Sequence, residues 1–294
     1  MLITIRNLLV NIMAAFIRDR DARHKFRNKY KVRSKFRKLR DDNRILFNDI
    51  NKIFNENKNL YNAIMSLQNK LVQIYDKDLS IRHSLSLIAH DETINYIKNK
   101  IDLSTVILFS NKLQHLLYCA KKAPGTGLFI ECGVFRGTTI NFLAENFPDK
   151  QIHGFDSFEG LPDDWSGTGG KKGTFDLKGV LPEVRANVNL HKGLFNPVLN
   201  DFLINSNEKI AFLHVDCDLY QSTVDIFSFV KKYIQCGTII VFDEMFNYPN
   251  WQNHEFKAFQ EFITSSGFSY KYIAINSHQQ CGIKITDLGT YNVH

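Results

Sequence analysis

Residues 129–137, Phe-Ile-Glu-Cys-Gly-Val-Phe-Arg-Gly, decide the fold of this chain. The apolar run that begins at Leu128 ends in an acid, and two glycines follow at the spacing Gly-x-x-x-Gly. The next residues, 138–145, have the pattern of a helix. The stretch therefore predicts a β-strand, a tight turn and a helix N-terminus. Such a turn lets a ligand approach the backbone closely, and the helix end offers free N–H groups to an anion.

The acid at the end of this strand, Glu131, restricts the ligand. A carboxylate there repels a pyrophosphate but suits an ammonium group, and the glycines lack the Gly-x-Gly-x-x-Gly spacing of dinucleotide-binding turns. A ligand with an amine, a carboxylate and a ribose fits better, which makes S-adenosylmethionine the expected cofactor. We expect Glu131, Gly133 and Gly137 to contribute to its site.

A second predicted strand, residues 151–156, also ends in an acid, Asp156. A carboxylate at this position can accept both hydroxyl groups of a ribose, although a strand-end Asp can instead cap the turn that follows. With Glu131 upstream, we favour ribose binding. Ser157 and Phe158 follow directly and are expected to line the adenine pocket.

Two further apolar strands end in pairs of acids. Asp216 and Asp218 follow one of them, and Asp243 and Glu244 follow the other. If the strands are neighbours, four carboxylates converge outside the carboxyl ends of the sheet, where open α/β sheets bind ligands. Oxygen ligands of this kind suit Mg²⁺ or Ca²⁺, which can hold a sugar diol. The alternative is that the acids contact the donor, the acceptor and backbone caps without a metal.

The proton acceptor is expected among the carboxylates that do not hold a cation. His254 is a second candidate base, although a single histidine that opens a helix is more often structural. Residues 163–179 form a long glycine-rich segment without the Gly-Lys-Ser/Thr ending of a P-loop. This segment is either a disordered loop or a lid that closes over the site.

The body of the chain alternates strands and helices, which predicts an α/β fold, a doubly wound and mainly parallel sheet. Residues 80–122 look helical and end before Ala123-Pro124-Gly125. The last two strands are predicted to form a hairpin around residues 276–280. The seven expected strands lie near residues 128–131, 151–155, 188–192, 210–215, 238–242, 270–275 and 281–285.

Charge is concentrated at the N-terminus. Residues 1–40 contain thirteen Lys or Arg and two Asp, a net charge of +11, so a total of +7 leaves −4 for the other 254 residues. This distribution argues against a nucleic-acid groove on the body. Apolar residues at helical spacing in residues 1–17, followed by the polybasic segment, suit an anionic membrane surface. The alternative is a solvated basic helix, and RNA binding is less favoured.

The compartment is predicted from cysteines and hydropathy. Five cysteines stand without the spacing of disulfides or metal sites, which indicates a reducing cytoplasm, and the arm permits a peripheral location on the inner membrane face. No apolar run reaches the roughly 18 residues of a membrane span. A cleaved signal peptide is not expected.

Residues 46–74 carry a heptad pattern, with apolar residues alternating at steps of four and three. Asn57 is the one polar residue of the seam and falls at an a position, which favours a parallel dimer in fixed register. Ile at two d positions leaves a trimer open. We expect oligomerisation through this helix; the alternative is a single amphipathic helix packed on the body.

Four motifs in this order resemble class I S-adenosylmethionine-dependent methyltransferases: FIECGVFRGTTI, GFDSFEGLP, FLHVDCDLYQST and IIVFDE. More narrowly, they are similar to the macrocin O-methyltransferase family, which methylates sugar hydroxyls. The resemblance covers about residues 105–288. It implies a seven-stranded Rossmann-like sheet whose last strand is antiparallel.

The same resemblance implies roles for single residues. Glu131, Gly133 and Asp156 would contact the methyl donor. Asp216 would bind Mg²⁺ together with Asp243 and Glu244, a pair that is Asp-Asp in the best-known members but Asp-Glu here. Asp218 would be the base.

The sequence thus predicts a basic arm (residues 1–40), a coiled-coil helix (41–79) and a methyltransferase domain (80–294). The predicted activity is O-methylation of a sugar or glycan hydroxyl, in surface-polysaccharide or natural-product synthesis. Two alternatives remain. One is a metal-dependent glycosyltransferase, because Asp216-Cys217-Asp218 also matches the Asp-x-Asp of nucleotide-sugar enzymes. The other is a non-catalytic oligomeric scaffold.

Overall fold

The computed structural model describes the backbone of residues 33–78 and 80–289, with side chains described for 43–70 and 80–289. Most of the predicted basic arm therefore lies outside the described residues. The chain divides into two compact units, Met1–Asp76 and Lys77–His294, and each is described by itself. In the described part of the chain, no helix combines the length and apolar character needed to cross a bilayer.

The described part of the first unit is a single long helix. Helix α1 extends over Arg33–Asp78, 46 residues, and contains the whole heptad segment. Its d-position side chains Leu46, Ile53, Leu60 and Leu67 are 45–59% exposed. The a-position residues Ile50, Asn57 and Ile64 are half-buried. The helix is thus observed, while its oligomeric state stays a prediction.

The second unit is an α/β sandwich around one sheet of eight strands, seven of which the sequence predicts. Its elements in chain order are α2 (Ile81–Lys100), β1 (Ile107–Phe109), α3 (Lys112–Ala120), β2 (Leu128–Cys132), α4 (Thr138–Asn146), β3 (Ile152–Asp156), β4 (Val188–Lys192), α5 (Phe195–Ser206), β5 (Ile210–Val215), α6 (Tyr220–Val230), β6 (Ile234–Phe242), a short 3₁₀ turn (Trp251–Asn253), α7 (Glu255–Ser266), β7 (Ser269–Asn276) and β8 (Cys281–Asp287).

The strand order is β1-β7-β8-β6-β5-β2-β3-β4. All neighbouring pairs are parallel except those of β8, which runs antiparallel to both β6 and β7. This confirms the predicted doubly wound sheet, its antiparallel last strand and the closing hairpin. The order reverses between β2 and β5, and β5 pairs with β6, so the acidic ends of the central strands meet at one edge.

The eighth strand, β1, lies within residues 80–122, which the sequence pattern predicts to be helical throughout. Asp102 ends that helical stretch, because its Oδ1 accepts hydrogen bonds from the backbone N–H (3.0 Å) and the hydroxyl (2.7 Å) of Ser104. The β-branched residues that follow favour an extended chain, and β1 pairs in parallel with β7. Asn111 then caps α3 by accepting from the backbone N–H of Gln114 at 3.0 Å.

Apolar side chains cover both faces of the sheet. On one face, α5, α6 and α7 pack through residues such as Leu199, Phe227 and Phe259. On the other, α3 and α4 pack through residues such as Leu116 and Leu143. Both faces are buried, which explains why the central strands are mainly apolar.

Candidate active site

A cavity of about 810 Å³ opens at the carboxyl ends of β2, β3, β5 and β6. The elements contribute to its wall through the loops that follow them, as expected for an open α/β sheet. The ionisable and glycine-loop residues in this wall include Lys112, Gly133, Arg136, Asp156, Asp163, Asp216, Asp218, Asp225, Asp243 and Glu244.

The glycine turn after β2 forms one wall of the cavity. Gly133 has φ +97°, and a Cβ atom there would collide with the backbone oxygen of Asp216. Only glycine therefore allows the turn to lie against the end of β5. Gly137, at φ +78°, precedes α4 without a side-chain capping bond. This leaves the start of α4 available to a ligand that accepts hydrogen bonds.

Asp156 lies between this turn and the cavity, as the sequence predicts. Its Oδ2 accepts hydrogen bonds from the backbone N–H groups of Val134 and Phe135, both at 2.8 Å. Its Oδ1 accepts from the backbone N–H of Phe158 at 2.7 Å. Asp156 thus fixes the glycine turn while facing the cavity, and its contact with a ribose stays a prediction.

Glu131 and Phe158 lie elsewhere than the sequence pattern predicts. Glu131 is fully buried: its Oε1 accepts from the Thr139 hydroxyl at 2.9 Å and its Oε2 from His214 Nδ1 at 3.0 Å. Glu131 does not line the cavity. Phe158 is 1% exposed and packs in the core with residues such as Phe129, while Ser157 does line the cavity.

The register of β2 and β5 explains the position of Glu131. Glu131 pairs with His214, and each is the penultimate residue of its strand. Side chains at matching positions of parallel neighbours point to the same face, so the carboxylate reaches the imidazole instead of the cavity. Burial lowers the pKa of His214, but the carboxylates of Asp243, 3.8 Å from Nε2, and of Glu131, hydrogen-bonded to Nδ1, outweigh this and raise the pKa to about 10.

The structure brings the four predicted carboxylates together. β5 and β6 are parallel neighbours, and Asp216, Asp218, Asp243 and Glu244 all line the cavity. Burial and the charge of Asp243 raise the pKa of Asp216 and of Glu244 well above the usual range. Burial alone would raise the pKa of Asp243, but His214 and Lys112 lower it.

Asp218 has the environment of a proton acceptor. It is 7% exposed and has the left-handed backbone conformation, φ +64°, that Asp tolerates better than most residues. Burial and the charge of Asp243 raise its pKa to about 7. A carboxyl group with such a pKa exchanges a proton readily near neutral pH.

Lys112, the first residue of α3, carries no sequence signal that marks it as part of the site. Its Nζ lies 2.6 Å from Asp243 Oδ2 and 3.8 Å from Asp216 Oδ2. Burial lowers the pKa of Lys112, but the charges of Asp216 and Asp243 outweigh it and raise the pKa above its ordinary value. The ammonium group therefore lies among the predicted metal ligands.

The donor atoms at this edge fit a divalent cation. Single ligand atoms of His214, Asp216 and Asp243 lie within 4.8 Å of one another. Glu131 holds Nδ1 of His214, which is the usual arrangement of a metal-ligating histidine, and His214 Nε2, Asp243 Oδ1 and Glu244 Oε2 are buried without a hydrogen-bond partner among the described residues. Lys112 contacts Asp243 and Asp216 from the other side, and the predicted metal set of Asp216, Asp243 and Glu244 stays a prediction.

His254 connects two loops rather than facing the acceptor. Its Nε2 donates to the backbone oxygen of Ser166 at 2.9 Å and lies 3.2 Å from Asn250 Nδ2. It is not among the cavity-lining residues. The geometry gives no support to His254 as a base and indicates that it anchors the glycine-rich loop.

The glycine-rich loop, residues 163–179, has internal order in the structure. The backbone N–H of Trp165 donates to Gly170 O at 2.9 Å, and the loop is anchored to Leu161 by hydrogen bonds in both directions with Thr174 and Gly173. Trp165 and Phe175 line the cavity. The loop thus covers the cavity at least in part, which favours the lid over the disordered loop.

The sequence of residues 50–269, about three quarters of the chain, matches the family model described as macrocin-O-methyltransferase (TylF). The chain belongs to the macrocin-O-methyltransferase family. As a member of this family it is an S-adenosylmethionine-dependent O-methyltransferase. The match begins inside the predicted coiled-coil segment, earlier than the start near residue 105 given by the motifs. The assignment gives no support to the glycosyltransferase alternative.

Solved structures resemble this macrocin-O-methyltransferase family member at low sequence identity. The calicheamicin methyltransferase CalS11 is 18% identical, with 70% of this chain and 93% of that chain covered and a TM-score of 0.47. The O-methyltransferase NovP is 21% identical, with 60% and 79% covered and a TM-score of 0.44. The mycinamycin-pathway methyltransferase MycE, solved with Mg and SAH, is 11% identical, with 60% and 49% covered and a TM-score of 0.40. No curated protein matches the chain.

Proposed function

We propose that this methyltransferase transfers the methyl group of S-adenosylmethionine to a hydroxyl group of a sugar or glycan. One observation carries the proposal. The glycine turn with Asp156 and the carboxylates Asp216 and Asp218 line one continuous cavity. A donor held by the turn and an acceptor held at the carboxylates therefore share a single cavity.

The donor half of this cavity supplies binding and orientation. The turn at Gly133 and the start of α4 receive the polar end of the methyl donor, and Asp156 receives its ribose. The sulfonium is already reactive, so the protein contributes mainly by holding the acceptor oxygen in line with the methyl carbon. Effective positioning of this kind accounts for roughly 7–11 kcal/mol of barrier reduction in favourable cases.

The acceptor half supplies the base. The acceptor O–H gives its proton to a carboxylate oxygen of Asp218, while the oxygen forms a bond to the methyl carbon. The carbon–sulfur bond breaks at the same time, and its electron pair stays on the sulfur as a neutral thioether. No step of this mechanism passes through a metal ion.

The walls of the cavity suit a carbohydrate. Trp165, Phe175 and Phe195 contribute aromatic rings, and Gln221 and Ser222 at the start of α6 contribute hydrogen-bonding groups. Aromatic faces pack against the apolar faces of sugar rings, and polar groups fix their hydroxyls. This composition favours a sugar acceptor, in natural-product or surface-polysaccharide synthesis, over a purely apolar one.

The test is methyl transfer to a panel of acceptors, followed by mass spectrometry. The panel contains nucleotide-linked hexoses, free glycosides, oligosaccharides and, as a different class, catechols. We expect a mass gain of one methyl group on a sugar and a loss of about 10²–10⁴ in kcat in Asp218→Asn at unchanged affinity for S-adenosylhomocysteine. Methylation of catechols alone contradicts the proposed acceptor class. Unaltered kcat in Asp218→Asn contradicts the base.

The long helix supports a second, structural proposal. The heptad of residues 46–74 lies within one helix, and its d-position side chains are about half exposed. We propose that a second copy of the chain covers this seam in a parallel coiled coil, with Asn57 opposite Asn57. The partner is the same chain because a self-complementary seam with one polar position fixes register between identical helices.

The predicted arm, residues 1–40, supports a third proposal through its charge alone. We propose that it binds an anionic membrane surface, since each basic residue near such a surface contributes about 1 kcal/mol. This would bring the enzyme to glycans that are assembled at the cytoplasmic face of a membrane.

A further inference from the structure

Arg136 is a cation of the cavity wall that has no acidic partner. It follows Phe135 in the glycine turn, is exposed and lines the cavity. Within the residues that the structure describes, its guanidinium group forms no hydrogen bond and no ion pair, and it contacts the ring of Phe135 instead. Arg185, which does not line the cavity, is in contrast paired with Glu145 at 2.9 Å. The five N–H donors of Arg136 are therefore available to a ligand.

The other charges of the cavity wall are engaged or negative. Of the described side chains that line the cavity, Lys112 and Arg136 are the basic ones. Lys112 already contacts Asp243 at 2.6 Å and Asp216 at 3.8 Å. Seven acidic side chains line the same cavity: Asp156, Asp163, Asp216, Asp218, Asp225, Asp243 and Glu244. These carboxylates repel an anionic group of a ligand, so the side chain that can receive such a group is Arg136.

Phe135 supports the guanidinium group. Arg136 Cζ lies 5.1 Å from the centre of the Phe135 ring, within the range of a cation–π contact. The backbone of Phe135 has the left-handed conformation, φ +47°, which is rare for an aromatic residue, and its N–H donates to Asp156 Oδ2 at 2.8 Å. Such a conformation persists where surrounding contacts enforce it, and it is concentrated at ligand-binding sites. The support of Arg136 is therefore built into the donor turn.

The ring of Phe135 also contacts the glycine-rich loop. The rings of Phe135 and Phe175 are 5.2 Å apart at an angle of 66°. Phe175 belongs to residues 163–179, lines the cavity and is 43% exposed. Arg136 therefore lies beside the contact between the donor turn and the loop that covers the cavity, where ligands of both halves of the cavity are within reach.

Two substrates can supply the anion. S-adenosylmethionine carries a carboxylate at its polar end, and a sugar acceptor can carry a carboxylate, as uronic acids do, or a phosphate. Both groups offer two oxygens to the parallel N–H groups of a guanidinium. Lysine provides the charge without this paired geometry. The recognition chemistry is thus the same for the two sources.

We propose that Arg136 is the oxyanion-binding residue of this cavity, and that its guanidinium group holds a carboxylate or phosphate of a bound substrate through two parallel hydrogen bonds. The acceptor as the source rests on the proposed function, whereas the donor as the source rests only on S-adenosylmethionine as the cofactor. The role of Arg136 is binding and orientation, and it neutralises the charge that the anion brings into an acidic cavity.

The donor as the source is tested by isothermal titration calorimetry of the full chain. The ligands are S-adenosylhomocysteine and its decarboxylated analogue, and the proteins are wild type, Arg136→Met and Arg136→Lys. Arg185→Met is the matched control, because it removes an arginine that does not line the cavity. If the donor supplies the anion, Arg136→Met binds S-adenosylhomocysteine about tenfold more weakly or worse, and binds the analogue as the wild type does. Arg136→Lys recovers part of the loss.

The acceptor as the source is tested on the complex with S-adenosylhomocysteine, with inorganic phosphate, glucuronate and uncharged glucose as probes in ligand-observed NMR. If the acceptor supplies the anion, phosphate and glucuronate bind the wild type and Arg185→Met more tightly than glucose does, and this preference is lost in Arg136→Met. These titrations need no methyl transfer. A wrong acceptor class shows as sugars that are not methylated, whereas a wrong role of Arg136 shows in binding.

Wild-type affinity of Arg136→Met for S-adenosylhomocysteine, phosphate and glucuronate overturns the proposal. An equal loss of affinity for S-adenosylhomocysteine and for its decarboxylated analogue also overturns it, because Arg136 would then only brace the turn. Arg136→Gln, which removes the charge and keeps a polar side chain, is the second variant if Arg136→Met fails to fold.

Discussion

At the scale of single residues, Asp156 has two tasks that the structure links. It accepts three backbone hydrogen bonds that fix the glycine turn, and it faces the cavity. A carboxylate in this position therefore determines both the shape of the donor site and one of its polar contacts. Its importance follows from its place at a strand end, which the sequence alone identifies.

Asp156→Ala is expected to weaken binding of S-adenosylhomocysteine by ten- to a hundredfold or more. The reason is that hydrogen bonds to a charged group contribute about 1.5–3 kcal/mol each, and a factor of ten in affinity corresponds to about 1.4 kcal/mol. Isothermal titration calorimetry measures the change, with the exposed Asp149→Ala as control. Wild-type affinity in Asp156→Ala contradicts the assigned donor site.

The sequence predicts that Glu131 binds the methyl donor, whereas its contacts indicate a structural role. A variant of Glu131 distinguishes the two. Its two oxygens are occupied by Thr139 and His214 in the core. Glu131→Gln is expected to lower the free energy of unfolding by about 3 kcal/mol, because it leaves the buried His214 without its charged partner. Glu145→Gln, which removes an exposed partner of Arg185, is the control and is expected to change little.

Urea unfolding measures the free energy of unfolding of Glu131→Gln, of Glu145→Gln and of the wild type. The structural role of Glu131 also predicts that folded Glu131→Gln keeps its affinity for S-adenosylhomocysteine. A tenfold loss of affinity at unchanged stability would instead support the ammonium contact that the sequence predicts.

At the scale of elements, the β3–β4 edge contains a pair of histidines. His153 Nδ1 lies 3.1 Å from His191 Nε2, and the rings pack against Phe202 and Phe155. Burial and the neighbouring His191 lower the pKa of His153 to about 4, and burial lowers that of His191. The contact between His153 and His191 at this edge is therefore one between neutral imidazoles near pH 7.

The pH dependence of stability follows from the sign of these shifts. The folded-state pKa of His153 lies below its unfolded value of about 6.5, so the unfolded chain binds more protons in acid. The contribution of His153 to the free energy of unfolding is therefore present above about pH 6.5 and is lost as the pH falls toward 4. We expect the urea midpoint of the wild type to fall between pH 7 and pH 5 relative to that of His153→Phe, because only the wild type carries this loss. Carboxyl groups with a raised pKa, such as Asp218, act in the opposite direction in both proteins.

His278→Gln is the control for this measurement, because His278 is exposed. An equal fall in the wild type and in His153→Phe would show that other groups cause the acid sensitivity.

Helix α1 is the second element whose role is testable. Leu60 occupies a d position and is 55% exposed. Leu60→Lys is expected to raise the dissociation constant of the oligomer at least a hundredfold, since each buried Leu contributes about 1.5–3 kcal/mol and a dimer loses two. Sedimentation equilibrium of the full chain measures it, with Asn62→Lys, outside the seam, as control. A monomeric wild type contradicts the coiled coil.

At the scale of the whole molecule, charge separates the chain into an arm of +11 and a remainder of −4. Full-length protein is expected to sediment with vesicles that contain anionic lipid and to be released as salt rises, because such attraction is screened beyond about 10 Å at 0.1 M. Protein that lacks residues 1–40 is expected to stay in solution. Equal binding of both forms, or binding to uncharged vesicles, contradicts the proposed role of the arm.

Sequence patterns alone are enough to predict the fold class and the strand-end half of the site. Apolar strands that end in Asp156, Asp216 or Asp243 are local patterns, and parallel strands bring their carboxyl ends to one edge whatever the details of packing. For this reason the convergence of the carboxylates is predictable from the sequence. The antiparallel last strand follows from the family resemblance, and its closing hairpin from the short connection between β7 and β8.

The partners of these residues, in contrast, depend on tertiary packing. Lys112 reaches Asp243 from 131 positions earlier in the chain, and Glu131 meets His214 because of strand register. The burial of Phe158 and the loop contact of His254 are also matters of packing. Such contacts depend on how helices and loops pack across the sheet, which a one-dimensional pattern does not encode. The sequence therefore identifies the acids of the site, while the three-dimensional fold determines which cationic groups face them.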